Sequence, residues 1–133
     1  MTSTFTRALI ATSFIIAGAS AARADSAGVT FSSGDKFTEK SGEDIYRNVC
    51  QACHMDKGQG AVGAGAYPAL AKNEGLEEPS YPIYIVLHGQ KGMPGFGSML
   101  DDEQVAAVVT YIRSNFGNNY KDTVSAEAVK DSR

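Results

Sequence analysis

The stretch from Cys50 to His54 reads Cys-Gln-Ala-Cys-His, and it constrains this chain more than any other segment. C-x-x-C-H is the attachment motif of c-type haem. The two-residue spacer lets one turn of helix present both thiols to the two vinyl groups. The histidine that follows lies under the iron, where a neutral imidazole is a standard axial ligand. The motif therefore predicts a covalently attached haem, held by Cys50 and Cys53, with His54 on the iron.

Three other uses of this cysteine pair are weaker interpretations. A thioredoxin-like dithiol comes with a βαβ pattern, which is not evident in the sequence. A structural zinc site needs four Cys or His ligands at paired spacings, and the chain has two cysteines and two histidines. A simple disulfide is compatible with an oxidising compartment. Haem attachment is the interpretation that the motif favours.

The first 24 residues have the composition of an export signal. Arg7 precedes a largely apolar stretch, and Ala22-Arg23-Ala24 matches an A-x-A cleavage site. The strongest apolar run, residues 9–19, is shorter than the roughly 20 residues that a spanning helix needs. We therefore expect residues 1–24 to be a signal peptide cleaved after Ala24. The mature protein is then periplasmic, without stable insertion in the membrane.

Net charge limits the partners of the mature chain. Removal of residues 1–24 takes away two of the 12 basic residues and none of the 15 acidic ones, so the formal charge falls from −3 to −5. Nucleic acids and anionic lipids select basic surfaces, so this balance argues against both. Other proteins remain as the expected partners.

Length and patterning predict one small domain with an extension at each end. Residues 25–40 are polar and rich in Ser and Gly, and we interpret them as an extended N-terminal arm held by Phe31 and Phe37. Residues 41–119 form the predicted haem-binding domain. Residues 120–133 form a C-terminal tail with one weak helical turn.

Two helices are predicted in the first half of the domain. The first begins at Ser41, whose spacing from Asp44 resembles a capping box, and its last turn carries the cysteines. The second runs from about Ser80, which can cap it, to His88 and stops at Gly89. Its side chains leave little polar surface, so we expect one face to pack on the haem or the core.

The last predicted helix begins at Asp101, which forms a second capping pair with Gln104. It is predicted to end at Gly117-Asn118-Asn119. Its apolar residues recur at helical spacing and form one stripe, made of Val105, Val108, Val109, Ile112 and Phe116.

Two glycine-rich loops connect these helices. The first, residues 55–71, has the glycine density of a loop that turns tightly and lets backbone approach a ligand. It ends in Tyr67-Pro68-Ala69-Leu70, where a backbone carbonyl can accept the His54 Nδ1–H bond and fix the imidazole plane. Pro68 is therefore a candidate member of the haem site.

The second loop, residues 90–100, supplies a candidate for the other axial position. Met93 stands next to Pro94 and 39 residues after His54, far enough for the chain to reach the opposite face of the haem. A thioether opposite a histidine raises the reduction potential. Met93 is our candidate ligand.

Three residues compete with it: Met99, which we interpret as a core residue, Met55, which is too close to His54, and His88, which would give a bis-His haem.

These segments together resemble class I cytochrome c from about residue 41 to residue 116. The resemblance implies an all-α cytochrome c fold, in which the first and last helices cross near-perpendicularly and pack around one covalent haem c, with Gly-rich loops between them. It also implies that Gly42 and Tyr46 meet Val108 and Tyr111. The matching motifs are Cys50–His54, Tyr67–Leu70, Gly92–Phe96, Asp101–Val105 and Tyr111-Ile112.

The run from Tyr111 to Asn118, with residues 129–133 beyond it, is similar to cytochrome subunits or acceptors of periplasmic dehydrogenases. This resemblance implies a one-electron carrier and not an enzyme. Its donor would be a dehydrogenase, its acceptor a respiratory cytochrome or oxidase, and the protein would be a monomer or a subunit of the dehydrogenase complex. The alternative is a haem enzyme or gas sensor whose iron is open or bis-His. His88 and the N-terminal arm depart from the family pattern.

Overall fold

The computed structural model describes residues 36–63 and 65–133. The expected signal peptide and most of the N-terminal arm, including Phe31, lie outside these residues, and their boundaries stay predictions. Within the described part of the chain, no helix is long and apolar enough to cross a membrane.

The elements are α1 (Gly42–Ile45), a π-helical segment (Tyr46–Cys50), α2 (Gln51–His54), β1 (Ala61–Val62), β2 (Ala66–Tyr67), a 3-10 turn (Glu74–Leu76), α3 (Ser80–His88), α4 (Asp102–Ser114) and α5 (Ala126–Lys130).

The cysteine-bearing helix begins as predicted, but it changes its hydrogen-bond pattern halfway. The Ser41 hydroxyl accepts the Asp44 N–H at 3.1 Å, so the cap is confirmed. The π-helical segment then follows, with the Gln51 N–H donating to the Tyr46 carbonyl. A π turn takes up one more residue than an α turn and is frequent at functional sites. It changes the direction in which the following side chains point, which a strict helical period does not predict.

The first and last helices meet where the chain has a glycine. A Cβ built on Gly42 would lie 2.2 Å from the Ala107 carbonyl oxygen and 2.8 Å from Tyr111 Cβ. The Tyr46 and Tyr111 rings lie 5.7 Å apart, as the resemblance implied. Besides Tyr111, the residue that Gly42 contacts is Ala107, and not Val108 as the resemblance implied. Neighbouring helix residues point about 100° apart, and Val108 is buried in the core.

Helix α3 has the predicted bounds but not the predicted cap. Pro79 occupies the N-cap position, and no side chain caps the helix. The Ser80 cap was therefore wrong, because the helix starts one residue earlier than a serine cap requires. Pro82 is tolerated because it lies in the first turn, where backbone N–H groups have no helical partner.

Helix α4 has the predicted capping box and an earlier end. The Gln104 N–H donates to Asp101 Oδ1 at 2.8 Å, and the Asp101 N–H donates to Gln104 Oε1 at 2.9 Å. The helix ends at Ser114, short of the predicted glycine and asparagines. Phe116 and Gly117 adopt φ values of 57° and 80°, in the left-handed region that terminates helices. Phe116 therefore leaves the helical stripe but still packs against the core.

The tail is a packed element rather than a loose extension. Its weak helical turn forms α5, capped by the Ser125 hydroxyl, and α5 packs against α4. Val129 is fully buried. Arg113 of α4, only 1% exposed, donates to the carbonyl oxygens of Leu76, Glu77 and Asp122 and to the Asp122 carboxylate. The tail and the 3-10 turn are thus joined to α4 through one buried guanidinium.

The described end of the N-terminal arm lies beside the start of α4. The Phe37 N–H donates to the Met99 carbonyl at 3.2 Å, and the Phe37 side chain packs against the core. Gln104 Nε2 donates to the carbonyl oxygens of Phe37 and Glu39 at 2.9 and 2.7 Å. Phe37 therefore anchors this part of the arm, as expected.

Substitution of Gly42 tests the α1–α4 contact. Gly42→Ala places a methyl group against the Ala107 carbonyl, and overpacking of this kind lowers the free energy of unfolding by roughly 1–3 kcal/mol. Gly63→Ala is the control, because no atom of the described residues, apart from the neighbours of Gly63 in the chain, lies within 4 Å of its added Cβ. Urea unfolding followed by circular dichroism measures both. Equal midpoints for the two variants would contradict the close contact.

The ion pair between Arg113 and Asp122 predicts a pH-dependent stability. The hydrogen bond from Arg113 holds the pKa of Asp122 below its ordinary value of 3.8. The carboxylate therefore stabilises the fold above its unfolded-state pKa, and this contribution is lost as the pH falls through the folded-state pKa. We expect Asp122→Asn to be less stable than the unmodified protein at pH 7, with the difference shrinking below about pH 4.

The control for Asp122→Asn is Asp131→Asn, which removes an exposed carboxylate that has no side-chain hydrogen bond among the described residues. Urea midpoints measured between pH 3 and pH 7 compare the two variants. A difference between Asp122→Asn and the unmodified protein that does not change with pH would show that the pair does not carry the effect.

Candidate haem-binding site

Both cysteines lie on the last turns of the first helix. Cys50 ends the π-helical segment and Cys53 lies on α2, and both are half-buried and not joined in a disulfide. Burial, followed by the charge of neighbouring Cys53, raises the pKa of Cys50 to about 12. Reactive dithiol cysteines have lowered pKa values. Cys50 therefore lacks the lowered pKa of a reactive dithiol cysteine.

His54 is the last residue of α2 and is only 7% exposed. Its Nδ1 lies 2.9 Å from the Pro68 carbonyl oxygen. A carbonyl can only accept, so this contact places the proton on Nδ1 and leaves the lone pair on Nε2. No buried side-chain nitrogen or oxygen among the described residues lacks a partner. Nε2 has no partner in the described chain, so it faces open space and is available to a metal.

The loop after His54 folds back to place Pro68. Strands β1 and β2 pair antiparallel, with Ala61 opposite Tyr67. Gly60 has a φ of 66°, and a Cβ on it would lie 2.3 Å from the Tyr67 carbonyl oxygen. The Gly60 N–H donates to the His54 carbonyl at 3.1 Å. Glycine here lets backbone pack on backbone, which brings the Pro68 carbonyl to the imidazole; this short hairpin was not predicted.

Tyr46 fixes the turn that follows His54. Its hydroxyl donates to the Met55 carbonyl at 2.6 Å, where Met55 adopts a φ of 66°. Burial raises the pKa of Tyr46 to about 12, so the hydroxyl keeps its proton at any ordinary pH. The family resemblance implied that Tyr46 meets the last helix but did not indicate this role. The hydroxyl's partner is a backbone carbonyl nine residues further along the chain, and their contact is visible only in the folded structure.

Met93 lies on a tight turn that follows α3. Gln90 and Met93 exchange two backbone hydrogen bonds of 3.0 and 2.9 Å. Gly89 has a φ of 77°, and a Cβ on it would lie 2.5 Å from the Met93 carbonyl oxygen. The Phe96 N–H donates to the Val86 carbonyl of α3 at 2.8 Å. The half-buried Met93 side chain packs against the core, so this loop holds it on a rigid base.

The competing residues lie in other surroundings. His88 is exposed, and its Nε2 lies 3.0 Å from the Ser132 carbonyl oxygen, so the ring is engaged in a hydrogen bond with the tail. Met99 is half-buried and is not part of the core cluster, so its interpretation as a core residue was wrong. The residue after it, Leu100, is the one in the core, at 3% exposure.

The donor set fits haem c. Cys50 and Cys53 offer two thiols on consecutive turns. His54 offers its Nε2, to which no described residue hydrogen-bonds. Pro68 contacts His54 directly. Met93 belongs to a separate loop, and no hydrogen bond of the described residues joins it to either of them.

Comparison with known proteins identifies the family. The family described as cytochrome c oxidase, cbb3-type, subunit III, matches residues 38–112. This range contains the cysteine motif, both loops and most of α4. The match agrees with the cytochrome c fold that the sequence resemblance implied.

Individual relatives extend the comparison. The chain is 37% identical over 107 residues to the fructose dehydrogenase cytochrome subunit of Gluconobacter japonicus, an alignment that covers 69% of this chain and 22% of the relative. It is 36% identical over 109 residues to the gluconate 2-dehydrogenase cytochrome c subunit of Pantoea cypripedii, covering 71% and 24%. The chain thus spans less than a quarter of the length of these two subunits.

A shorter relative matches over nearly its whole length. Cytochrome c6 of Diacronema lutheri is 32% identical over 80 residues, covering 57% of this chain and 94% of the relative. The predicted resemblance to cytochromes c and to dehydrogenase cytochrome subunits is confirmed. The family match over more than half of the chain shows that it belongs to the cytochrome c family, with one haem c bound covalently through Cys50 and Cys53.

Proposed function

We propose that this protein is a periplasmic electron carrier that moves one electron at a time through a haem c ligated by His54 and Met93. The electron comes from a dehydrogenase and goes to a respiratory acceptor. The observation that carries the proposal is the state of the His54 ring, whose Nδ1 is held by the Pro68 carbonyl at 2.9 Å while Nε2 is open. A ring held in this way is oriented for axial ligation.

Haem c supplies a one-electron iron couple whose potential depends on its two axial ligands. Pro68 acts on one of them, since a carbonyl that accepts from Nδ1 fixes the ring plane and makes Nε2 a stronger donor. The Tyr46 hydroxyl restrains the turn after His54 through Met55. The His54 ring is therefore held by Pro68, and the turn that follows it is held by Tyr46.

The loop that carries Met93, residues 90–100, is called the Met93 loop, and its structure supports the assignment of the second ligand. Its tight turn and its anchor on α3 present a soft sulfur donor from a rigid backbone. His88 is engaged with the Ser132 carbonyl, which disfavours a bis-His iron. A thioether held by this loop would be available to the iron in both oxidation states, so electron transfer would need little rearrangement of the protein. The role of the chain is then carriage of electrons, and substrate chemistry belongs to its partner.

The relatives support a dehydrogenase as the electron donor. Two of them are named as cytochrome subunits of fructose and gluconate 2-dehydrogenases. The acidic balance of residues 25–133 agrees with protein partners and not with nucleic acid. The periplasmic location depends on the signal-like composition of residues 1–24, and stable membrane insertion is not part of the proposal.

The ligand assignment predicts opposite behaviour of two methionine variants. Met93→Ala opens the sixth position, so it should lose the weak red-edge sulfur-to-iron band, lower the potential and let the ferrous form bind carbon monoxide. Met99→Ala is the matched control and should keep the band and exclude carbon monoxide. Visible spectra and redox titration measure both variants. The reverse pattern would show that Met99 is the ligand.

If the unmodified ferrous protein binds carbon monoxide readily, the open-site alternative of a haem enzyme or gas sensor replaces the carrier. His88→Ala distinguishes the bis-His form of that alternative. We expect its spectrum and potential to match those of the unmodified protein, because His88 contacts a backbone carbonyl at the surface.

Reduction kinetics test the partner. Stopped-flow mixing of the ferric protein with candidate periplasmic dehydrogenases and their sugars or alcohols should give haem reduction by at least one of them. A free carrier gives a rate that rises with protein concentration. A rate independent of concentration identifies a tightly bound subunit instead. Ferric protein mixed with substrate alone is the control, and reduction there would contradict the carrier role.

A further inference from the structure

The Met93 loop contacts two different parts of the fold. Its first half is joined to α3, where the Phe96 and Gly97 N–H groups donate to the carbonyl oxygens of Val86 and Leu87 at 2.8 and 3.1 Å. Its second half begins at Gly97, the residue that both halves share, and runs through a turn to Leu100 just before α4. The carbonyl oxygens of Gly97 and Leu100 in this half point to a different partner.

That partner is Arg133, which follows α5. Its Nη1 donates to the Gly97 carbonyl, its Nη2 donates to the Leu100 carbonyl at 2.9 Å, and its Nε donates to Asp102 Oδ1 at 2.5 Å. One guanidinium thus holds two carbonyls of the loop and the first residue of α4. Three diverging donors in one plane are a property of arginine that lysine lacks. Hydrogen bonds from a charged donor are among the stronger ones.

The segment around Arg133 is itself well anchored. Val129 of α5 is fully buried, and the Ser132 and Arg133 N–H groups donate to the carbonyls of Val129 and Lys130. The Ser132 carbonyl lies 3.0 Å from His88 Nε2, at the end of α3 where the loop begins. The tail therefore contacts the start of the Met93 loop through Ser132 and its end through Arg133.

We propose that Arg133 is a positioning residue for Met93. Its guanidinium restrains the second half of the loop, and this restraint keeps the Met93 sulfur on the iron. The inference rests on the proposed function, since it takes Met93 as the axial ligand. It assigns to the tail a part in setting the haem potential and in keeping the sixth position closed.

Loss of this side chain should loosen the loop without unfolding the domain. The Arg133 side chain is 35% exposed and the Asp102 side chain 26%, so water can replace the lost donors. The core residues of α5 and the hydrogen bonds from the loop to α3 are unchanged by the substitution. The expected result is a larger population in which Met93 has left the iron.

The experiment compares Arg133→Ala, Arg133→Lys and Lys130→Ala in the haem-loaded protein. Lys130 is an exposed cationic residue at the end of α5, three residues before Arg133, and it has no side-chain hydrogen bond among the described residues, so it is the matched control. We expect Arg133→Ala to bind carbon monoxide in the ferrous form about tenfold more readily than the unmodified protein and to have a lower potential. Arg133→Lys should show a smaller change in carbon monoxide binding and potential than Arg133→Ala does, and Lys130→Ala should leave both unchanged.

Stability measurements separate positioning from general stabilisation. In urea, Arg133→Ala should lose the sulfur-to-iron band at a lower concentration than it loses helical circular dichroism. Simultaneous loss of both signals, with an unchanged potential in the absence of urea, would overturn the proposal.

Met93→Ala in the same series distinguishes the two levels of inference. If Met93→Ala opens the iron and Arg133→Ala does not, the positioning role fails and the ligand assignment stands. If Met93→Ala keeps the band, the ligand assignment itself fails.

Discussion

The hydrogen bond between His54 Nδ1 and the Pro68 carbonyl is the interaction on which the rest of this site depends. It selects the tautomer, aims Nε2 at the haem position and fixes the imidazole plane. The bond exists because the intervening chain forms a hairpin in which Gly60 packs directly on the backbone of Tyr67. A side chain at Gly60 would push the two segments apart. The site is therefore built by backbone packing as much as by its ligand side chains.

The same logic applies on the other side of the proposed haem. The Met93 loop takes its shape from hydrogen bonds to α3, and Arg133 contacts its far end from the tail. Arg113 joins that tail to α4 and to the 3-10 turn through carbonyl contacts. Two arginines, one buried and one half-exposed, thus make the tail part of the domain. In a domain of this size, contacts of this kind supplement a small apolar core.

Much of this architecture follows from local chemistry and could be predicted. Thioether attachment needs two thiols one turn apart with a ligand beside them, so the spacing of Cys50, Cys53 and His54 indicates the cofactor without long-range information. The caps at Ser41 and Asp101 span three residues, and both formed as expected. The end of α3 at Gly89 follows from a local stop signal, and the buried stripe of α4 follows from helical periodicity.

The sequence by itself determined the haem, the helices and the family, because each depends on residues close together in the chain. Tertiary structure decided which distant groups meet. It placed Gly42 on Ala107, turned Phe116 out of the α4 stripe and brought Arg133 to the Met93 loop. None of these contacts has a periodic signature, since each depends on how two elements approach one another. The π turn before Cys50 is of the same kind: it is set by the packing of its helix and interrupts the period from which the helix was predicted.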